Sequence, residues 1–136
     1  MPGYGMTVVV DAPFEEADRR TRAALADQGV GVLTEIDVTA TLKKKLGVDV
    51  APQVILGACN PSLAHKGLEV ESGLGLLLPC NVVVRVDEVG RTLVSALDPA
   101  VMVGVTGRVE LEPVAEEATK RLRAALDVLA GGGGGR

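Results

Sequence analysis

The chain has 136 residues, of which 47% are hydrophobic, and 14 Lys plus Arg against 18 Asp plus Glu give a formal net charge of −4 at pH 7. This length suits one domain with its own core, and the acidic balance offers no basic face for a phosphate backbone. Tyr4 and Phe14 are the only aromatic residues, whereas proteins that bind single-stranded nucleic acid stack bases on aromatic rings, so we expect no nucleic-acid partner.

Three strands and two helices are predicted in the first half of the chain. The strands are apolar runs bounded by turn residues, at residues 7–10, 30–36 and 53–58, and the fully apolar middle of the third indicates an internal strand. The first helix is expected to have Asp11 as its N-cap and to end at Gly29. The second is expected to be capped by Asp37 and to end at Gly47.

The second half predicts a third helix, a hairpin and two further helices. Asn60 as N-cap and Pro61 at the first helical position are a strong start signal. The hairpin pairs residues 81–87 with 91–97, a short helix spans residues 101–105, and a long amphipathic helix spans residues 113–130. This mixture predicts a single α+β domain over residues 1–130, and the glycine-rich tail of residues 131–136 is expected to be disordered.

Both cysteines of the chain precede an asparagine, in Ala58-Cys59-Asn60-Pro61 and in Leu78-Pro79-Cys80-Asn81. Three segments carry these motifs and their context: Gly29-Val30-Gly31-Val32-Leu33-Thr34-Glu35-Ile36-Asp37, Leu56-Gly57-Ala58-Cys59-Asn60-Pro61 and Gly75-Leu76-Leu77-Leu78-Pro79-Cys80-Asn81. In this order and at these spacings they resemble the bacterial and archaeal family called domain of unknown function 302, from about Met6 to Leu129. The resemblance implies a curved antiparallel sheet with helices packed on one face, similar to the architecture of the TATA-binding protein. That fold hosts several functions, so it implies no activity.

Cys59 is the stronger candidate for a reactive residue. It precedes a predicted helix N-cap, where free backbone amides and the helix dipole are expected to lower the pKa of a thiol, whereas Cys80 follows a proline at the head of a strand. If the two strand ends meet, the thiols could exchange, carry sulfur or hold a soft metal. The alternative is that both are small buried hydrophobic residues, because no Cys-x-x-Cys spacing exists. Whether the chain is an enzyme is therefore left open, with Cys59 and Cys80 as the catalytic candidates.

Four polar residues could complete a ligand site with the cysteines. Glu35, Asp37, Asn60 and Asn81 lie near predicted strand ends, where they could converge. Asp37 and Asn60 also suit ordinary helix capping, which is the preferred interpretation of these two.

The sequence predicts neither a metal nor a cofactor. Cys59, His65 and Cys80 are conceivable metal ligands, but three residues at irregular spacing do not make a zinc signature. No glycine-rich phosphate loop follows a strand and precedes a helix, and no Gly-x-Ser-x-Gly motif indicates a hydrolase.

The expected setting is the cytoplasm, because no signal peptide is visible and no apolar run is long enough to cross a bilayer. Both thiols should then be reduced. The leading hypothesis is a soluble homodimeric domain that binds a small ligand near the Cys-Asn motifs: an apolar molecule, a sulfur species or a soft metal. One alternative is a thiol-based redox protein or a sulfur or metal carrier that uses Cys59 and Cys80. The other is a structural protein whose dimer surface is its function.

Overall fold

The computed structural model describes residues 3–131, in which five strands form one antiparallel sheet with the order β1-β5-β4-β3-β2. The strands are β1 (Gly5–Val10), β2 (Gly31–Asp37), β3 (Gln53–Cys59), β4 (Cys80–Val86) and β5 (Thr92–Leu97). The α-helices are α1 (Phe14–Asp27), α2 (Val38–Leu46), α3 (Pro61–Val70), α4 (Ala100–Thr106) and α5 (Glu112–Ala130). Short 3-10 helices span Ser72–Leu76 and Val109–Leu111. The predicted α+β class and the antiparallel sheet are confirmed.

The main core lies between one face of the sheet and the helices α1 and α5, which also contact each other. Side chains alternate across a strand, so every second residue of the inner strands points into this core. Its members include Leu56 and Ala58 of β3, Val82 and Val84 of β4, Leu25 of α1, and Leu122 and Leu126 of α5. Each fully buried Leu or Val contributes roughly 1.5–3 kcal/mol. The apolar face of the long amphipathic helix predicted over residues 113–130 is the face of α5 that packs here.

The start of α1 differs from the prediction. The helix begins at Phe14 with Pro13 as its N-cap, and no side chain caps it. A residue before proline is held in extended backbone, so Ala12 cannot join a helical turn. Asp11 therefore lies two residues upstream of the cap position, and its assignment as the N-cap is wrong. The expected cap of α2 is confirmed, because the Asp37 side chain accepts a hydrogen bond from the amide of Ala40 at 2.9 Å.

The strand β2 is an edge of the sheet and carries exposed apolar residues. Among the strands of residues 3–131 it pairs only with β3, and its register shifts between Val32 and Thr34. Five side chains on β2, α2 and the loop after α2 are between 39% and 69% exposed, and we call them the β2–α2 edge: Leu33, Ile36, Leu46, Val48 and Val50. An open strand edge with apolar side chains is a surface that another chain can pair with.

The end of the chain can be compared with the prediction only in part. Gly131 follows α5, and its amide donates to the carbonyl of Asp127 at 3.0 Å. The rest of the tail predicted to be disordered, residues 132–136, lies outside the described residues. Within residues 3–131, none of the helices combines the length and the apolar character needed to cross a membrane.

Candidate functional site

A cavity of about 40 Å³ lies at the end of the sheet that carries both cysteines. β3 ends at Cys59 and β4 begins at Cys80, and Ala58 lies directly opposite Cys80 in the antiparallel pairing. Both cysteines line the cavity, and α3, α4 and α5 supply most of its other walls. The complete lining is Val30, Ala58, Cys59, Asn60, Leu63, Ala64, Leu74, Leu78, Cys80, Met102, Val114, Ala118 and Leu122. At roughly 10–15 Å³ per water-sized group, the cavity has room for about three such groups.

Small side chains keep this space open. Ala58, Ala64 and Ala118 each face the cavity from a different element, namely β3, α3 and α5. Val114, Ala118 and Leu122 recur at every fourth residue of α5, so they form one stripe of that helix. Because the residue in the middle of this stripe is an alanine, the volume that a leucine side chain would fill is left empty. Met102 of α4 closes the far side and is 2% exposed.

Burial raises the pKa of both thiols. For the half-buried Cys59, burial is the cause of the raised pKa. For Cys80, burial is the larger cause and the negative charge of a nearby Cys59 thiolate is the smaller one, and together they raise its pKa to about 11. The prediction of a lowered pKa for Cys59 is therefore wrong. Its thiol does not receive hydrogen bonds from helix amides but donates to the carbonyl of Asn60, with sulfur and oxygen 3.6 Å apart. Both cysteines are neutral at physiological pH.

Asn60 joins α3 to the turn between α1 and β2. Its side-chain oxygen accepts from the amide of Leu63 at 3.0 Å, which confirms the predicted N-cap. Its side-chain nitrogen donates to the carbonyl of Gly29 at 2.8 Å. Gly29 has a φ of +72°, a left-handed backbone conformation that favours glycine at this turn. Asn60 is thus a structural residue that also lines the cavity.

The other predicted polar residues do not converge on the cavity. Asn81 is exposed, because alternation along β4 turns it to the face opposite its neighbouring cysteine. Asp37 pairs with Val54, at the end of β3 far from the cysteines. Glu35 accepts from Arg22 of α1 at 2.8 Å on the helix-covered side of the edge strand. The prediction that these side chains converge near the thiols is wrong, because the register of the strands and the alternation of side chains along them keep these residues apart.

The structure does not assemble the metal triad considered from the sequence. His65 has a side chain that is 76% exposed, and its Nε2 lies 3.9 Å from a carboxylate oxygen of Glu69 on the same helix. Cys59 and Cys80 instead face the cavity, whose lining does not include His65. No group of three or more His, Cys, Asp or Glu side chains within residues 3–131 is arranged to hold a metal ion.

The residues that α4 and α5 contribute to the cavity were not predicted from the sequence. Met102 and Ala118 are separated from the cysteines by 22 or more residues, and no local pattern links them. One feature of the sequence could have indicated the cavity: position 118, in the apolar stripe of α5, is an alanine. A side chain this small leaves space between the helix and the elements that it packs against.

Comparisons with known proteins agree with the fold and name its family. The family model described as "Domain of unknown function DUF302" matches residues 6–129. A crystal structure of an uncharacterised conserved DUF302 protein from Bacillus stearothermophilus is similar to this chain, with a TM-score of 0.87 and 34% sequence identity over 94% of this chain and 99% of that one. Comparison with curated proteins gives no match. The chain belongs to the DUF302 family, as its motifs predicted.

Proposed function

We propose that this protein is a cytoplasmic binding domain whose cavity beside Cys59 and Cys80 receives a small apolar group of about three non-hydrogen atoms. The supporting observation is the cavity itself, a void of about 40 Å³ whose walls are almost entirely apolar. Protein interiors are close-packed, so an apolar space of this size is a place where packing is incomplete. A ligand group that fills the space removes its apolar walls from water and gains dispersion contacts.

The chemistry of the walls favours an uncharged group at this position. With a pKa of about 11, Cys80 is ionised in only about one molecule in ten thousand at pH 7. Neutral thiols are soft, weakly polar groups that accept an apolar neighbour without leaving a charge unpaired. The raised pKa values argue against the redox alternative, because thiol exchange requires a thiolate. In the cytoplasm both cysteines would stay reduced, as the free thiols that this site requires.

Titration with 1-propanol, followed by the NMR signals of side-chain methyl groups, tests this function. We expect saturable shifts confined to cavity methyls, chiefly those of Leu63, Leu74 and Met102. The variant Ala118→Leu fills the space and should abolish the shifts. The matched variant Ala26→Leu makes the same change at an exposed position of α1 and should leave them unchanged. Shifts that are spread over the surface, or that persist in Ala118→Leu, would contradict the proposal.

A second function is supported by the β2–α2 edge, and it concerns a second copy of the chain. The outer side of β2 pairs with no strand of residues 3–131, and two such edges can pair antiparallel about a two-fold axis. Leu33 and Ile36, which are 63% and 51% exposed, would then be covered together with their symmetry copies. The chain would thus form a homodimer with a continuous sheet.

Sedimentation equilibrium tests the dimer. The wild type should sediment as a dimer, and Ile36→Lys should shift it to a monomer because the new charge would be buried at the paired edge. Val128→Lys is the control, since Val128 is 54% exposed on α5, away from this edge. A monomeric wild type, or a dimer unaffected by Ile36→Lys, would rule out this interface.

A further inference from the structure

A surface cleft of about 320 Å³ adjoins the cavity between α3 and α5, and we call it the α3–α5 cleft. Three side chains, those of Asn60, Leu63 and Val114, line both spaces. The two spaces therefore meet at a shared wall. The remaining lining of the cleft is largely polar or charged: Ser62, Lys66, Pro113, Glu117 and Arg121.

The cleft has a positive charge in a protein whose net charge is −4. It is lined by two cations, Lys66 and Arg121, and one carboxylate, Glu117, which gives a local formal charge of +1. Arg121 binds Glu117 through Nε at 2.9 Å, which neutralises that pair. Lys66 is exposed and forms no ion pair with any residue from 3 to 131. The unpaired positive charge of the cleft is therefore that of Lys66.

A neighbouring cleft along the same helix has the opposite character. Of the charged side chains in the described part of the chain, only Asp98, Glu112 and Glu116 line it. An acidic protein that presents one positively charged cleft beside its apolar cavity, and a strongly acidic cleft elsewhere on α5, would distinguish ligands by the sign of their charge.

We propose that the cavity and the α3–α5 cleft together bind one small amphipathic anion, a carboxylate with an apolar tail of about three carbons. This inference rests on the proposed function, because the tail occupies the cavity beside the thiols. The carboxylate lies in the cleft, where the ammonium group of Lys66 and the hydroxyl of Ser62 are the available donors. The tail reaches the cavity along Leu63 and Val114, two of the side chains that line both spaces. Charge-assisted hydrogen bonds then select the anion, while the volume of the cavity limits the length of its tail.

Three probes with the same three-carbon tail test the inference: butanoate, 1-propanol and propylammonium. Each is titrated into the full chain, and its affinity is measured from the shifts of the cavity methyls. We expect butanoate to bind about tenfold more tightly than propylammonium, as one charge-assisted hydrogen bond allows, and its affinity should fall as salt is added. Lys66→Gln should weaken butanoate about fivefold and leave 1-propanol unchanged. The control Lys120→Gln removes an equal charge from the exposed side of α5 and should change neither affinity.

The outcomes separate the inference from the function on which it rests. If 1-propanol binds in the cavity but butanoate binds no more tightly than propylammonium, the cavity function stands and the selection for anions is overturned. The same conclusion holds if Lys66→Gln weakens butanoate and 1-propanol alike. If none of the three probes shifts the cavity methyls, both proposals are overturned.

Discussion

The substitution Asn60→Ala tests whether the asparagine of the first Cys-Asn motif holds the cavity region together. The change removes two hydrogen bonds, one at 3.0 Å from the amide of Leu63 and one at 2.8 Å to the carbonyl of Gly29. Loss of an N-cap costs about 1 kcal/mol, and loss of a further hydrogen bond costs about 1 kcal/mol more. We therefore expect the free energy of unfolding to fall by about 2 kcal/mol, as measured by urea denaturation.

Two companion variants separate these contributions. Asn60→Ser keeps a capping oxygen but is too short to reach Gly29, so it should lose about 1 kcal/mol. Asp37→Ala removes the equivalent cap of α2, a bond of 2.9 Å to the amide of Ala40, and no connection to another element. It should also cost about 1 kcal/mol. If Asn60→Ala costs no more than Asp37→Ala, or if Asn60→Ser costs as much as Asn60→Ala, Asn60 does not stabilise the fold through two separate hydrogen bonds.

Three further predictions concern the thiols and the packing at this end of the sheet. The pKa of Cys80 is raised from 9.0 to about 11 in the fold, so the stability that the neutral thiol contributes is fully present below pH 9 and is lost as pH rises toward 11. Between pH 8 and 10.5 the free energy of unfolding of the wild type, measured by urea denaturation, should therefore fall by about 2 kcal/mol more than that of Cys80→Val. Equal losses in the two proteins would contradict this. Cys59, the more exposed thiol, should be alkylated faster than Cys80 in the native protein, and its rate should still rise above pH 8.5; a plateau below pH 8 would indicate an activated thiolate instead. Gly57→Ala on β3 should cost about 1–3 kcal/mol because its Cβ would collide with Oγ1 of Thr34. Gly31→Ala on the neighbouring strand β2, with no atom within 4 Å of the added carbon, should be far better tolerated in the same assay.

Local signals in the sequence predicted most elements of the fold. The Asn60-Pro61 pair marks the start of α3, and a cap followed by proline acts through neighbouring atoms alone. The hairpin of β4 and β5 was also predicted to within one residue at each end, since its turn and alternating strands are local features. The likeness to the architecture of the TATA-binding protein stays a prediction.

The properties of the candidate site depended on contacts that no local pattern contains. The pKa of Cys59 follows from burial under elements that lie far along the chain, which outweighs its place beside a helix start. The positions of Asp37 and Asn81 follow from the register of three strands. The cavity is lined by Ala118 of α5 together with both cysteines, which lie far from it along the chain. These residues come together only when α5 packs against the rest of the domain.

A crystal structure of the wild-type chain under xenon pressure shows whether the space beside the thiols accepts an apolar atom, because xenon enters dry apolar cavities without forming specific bonds. If the proposed function holds, one xenon atom occupies the cavity of about 40 Å³, in contact with Leu63, Met102 and Ala118 and beside the two thiols. The atom should be absent from that position in Ala118→Leu crystals treated in the same way. A cavity that stays empty in the wild type, or one already filled by the side chains around it, would contradict the proposed function.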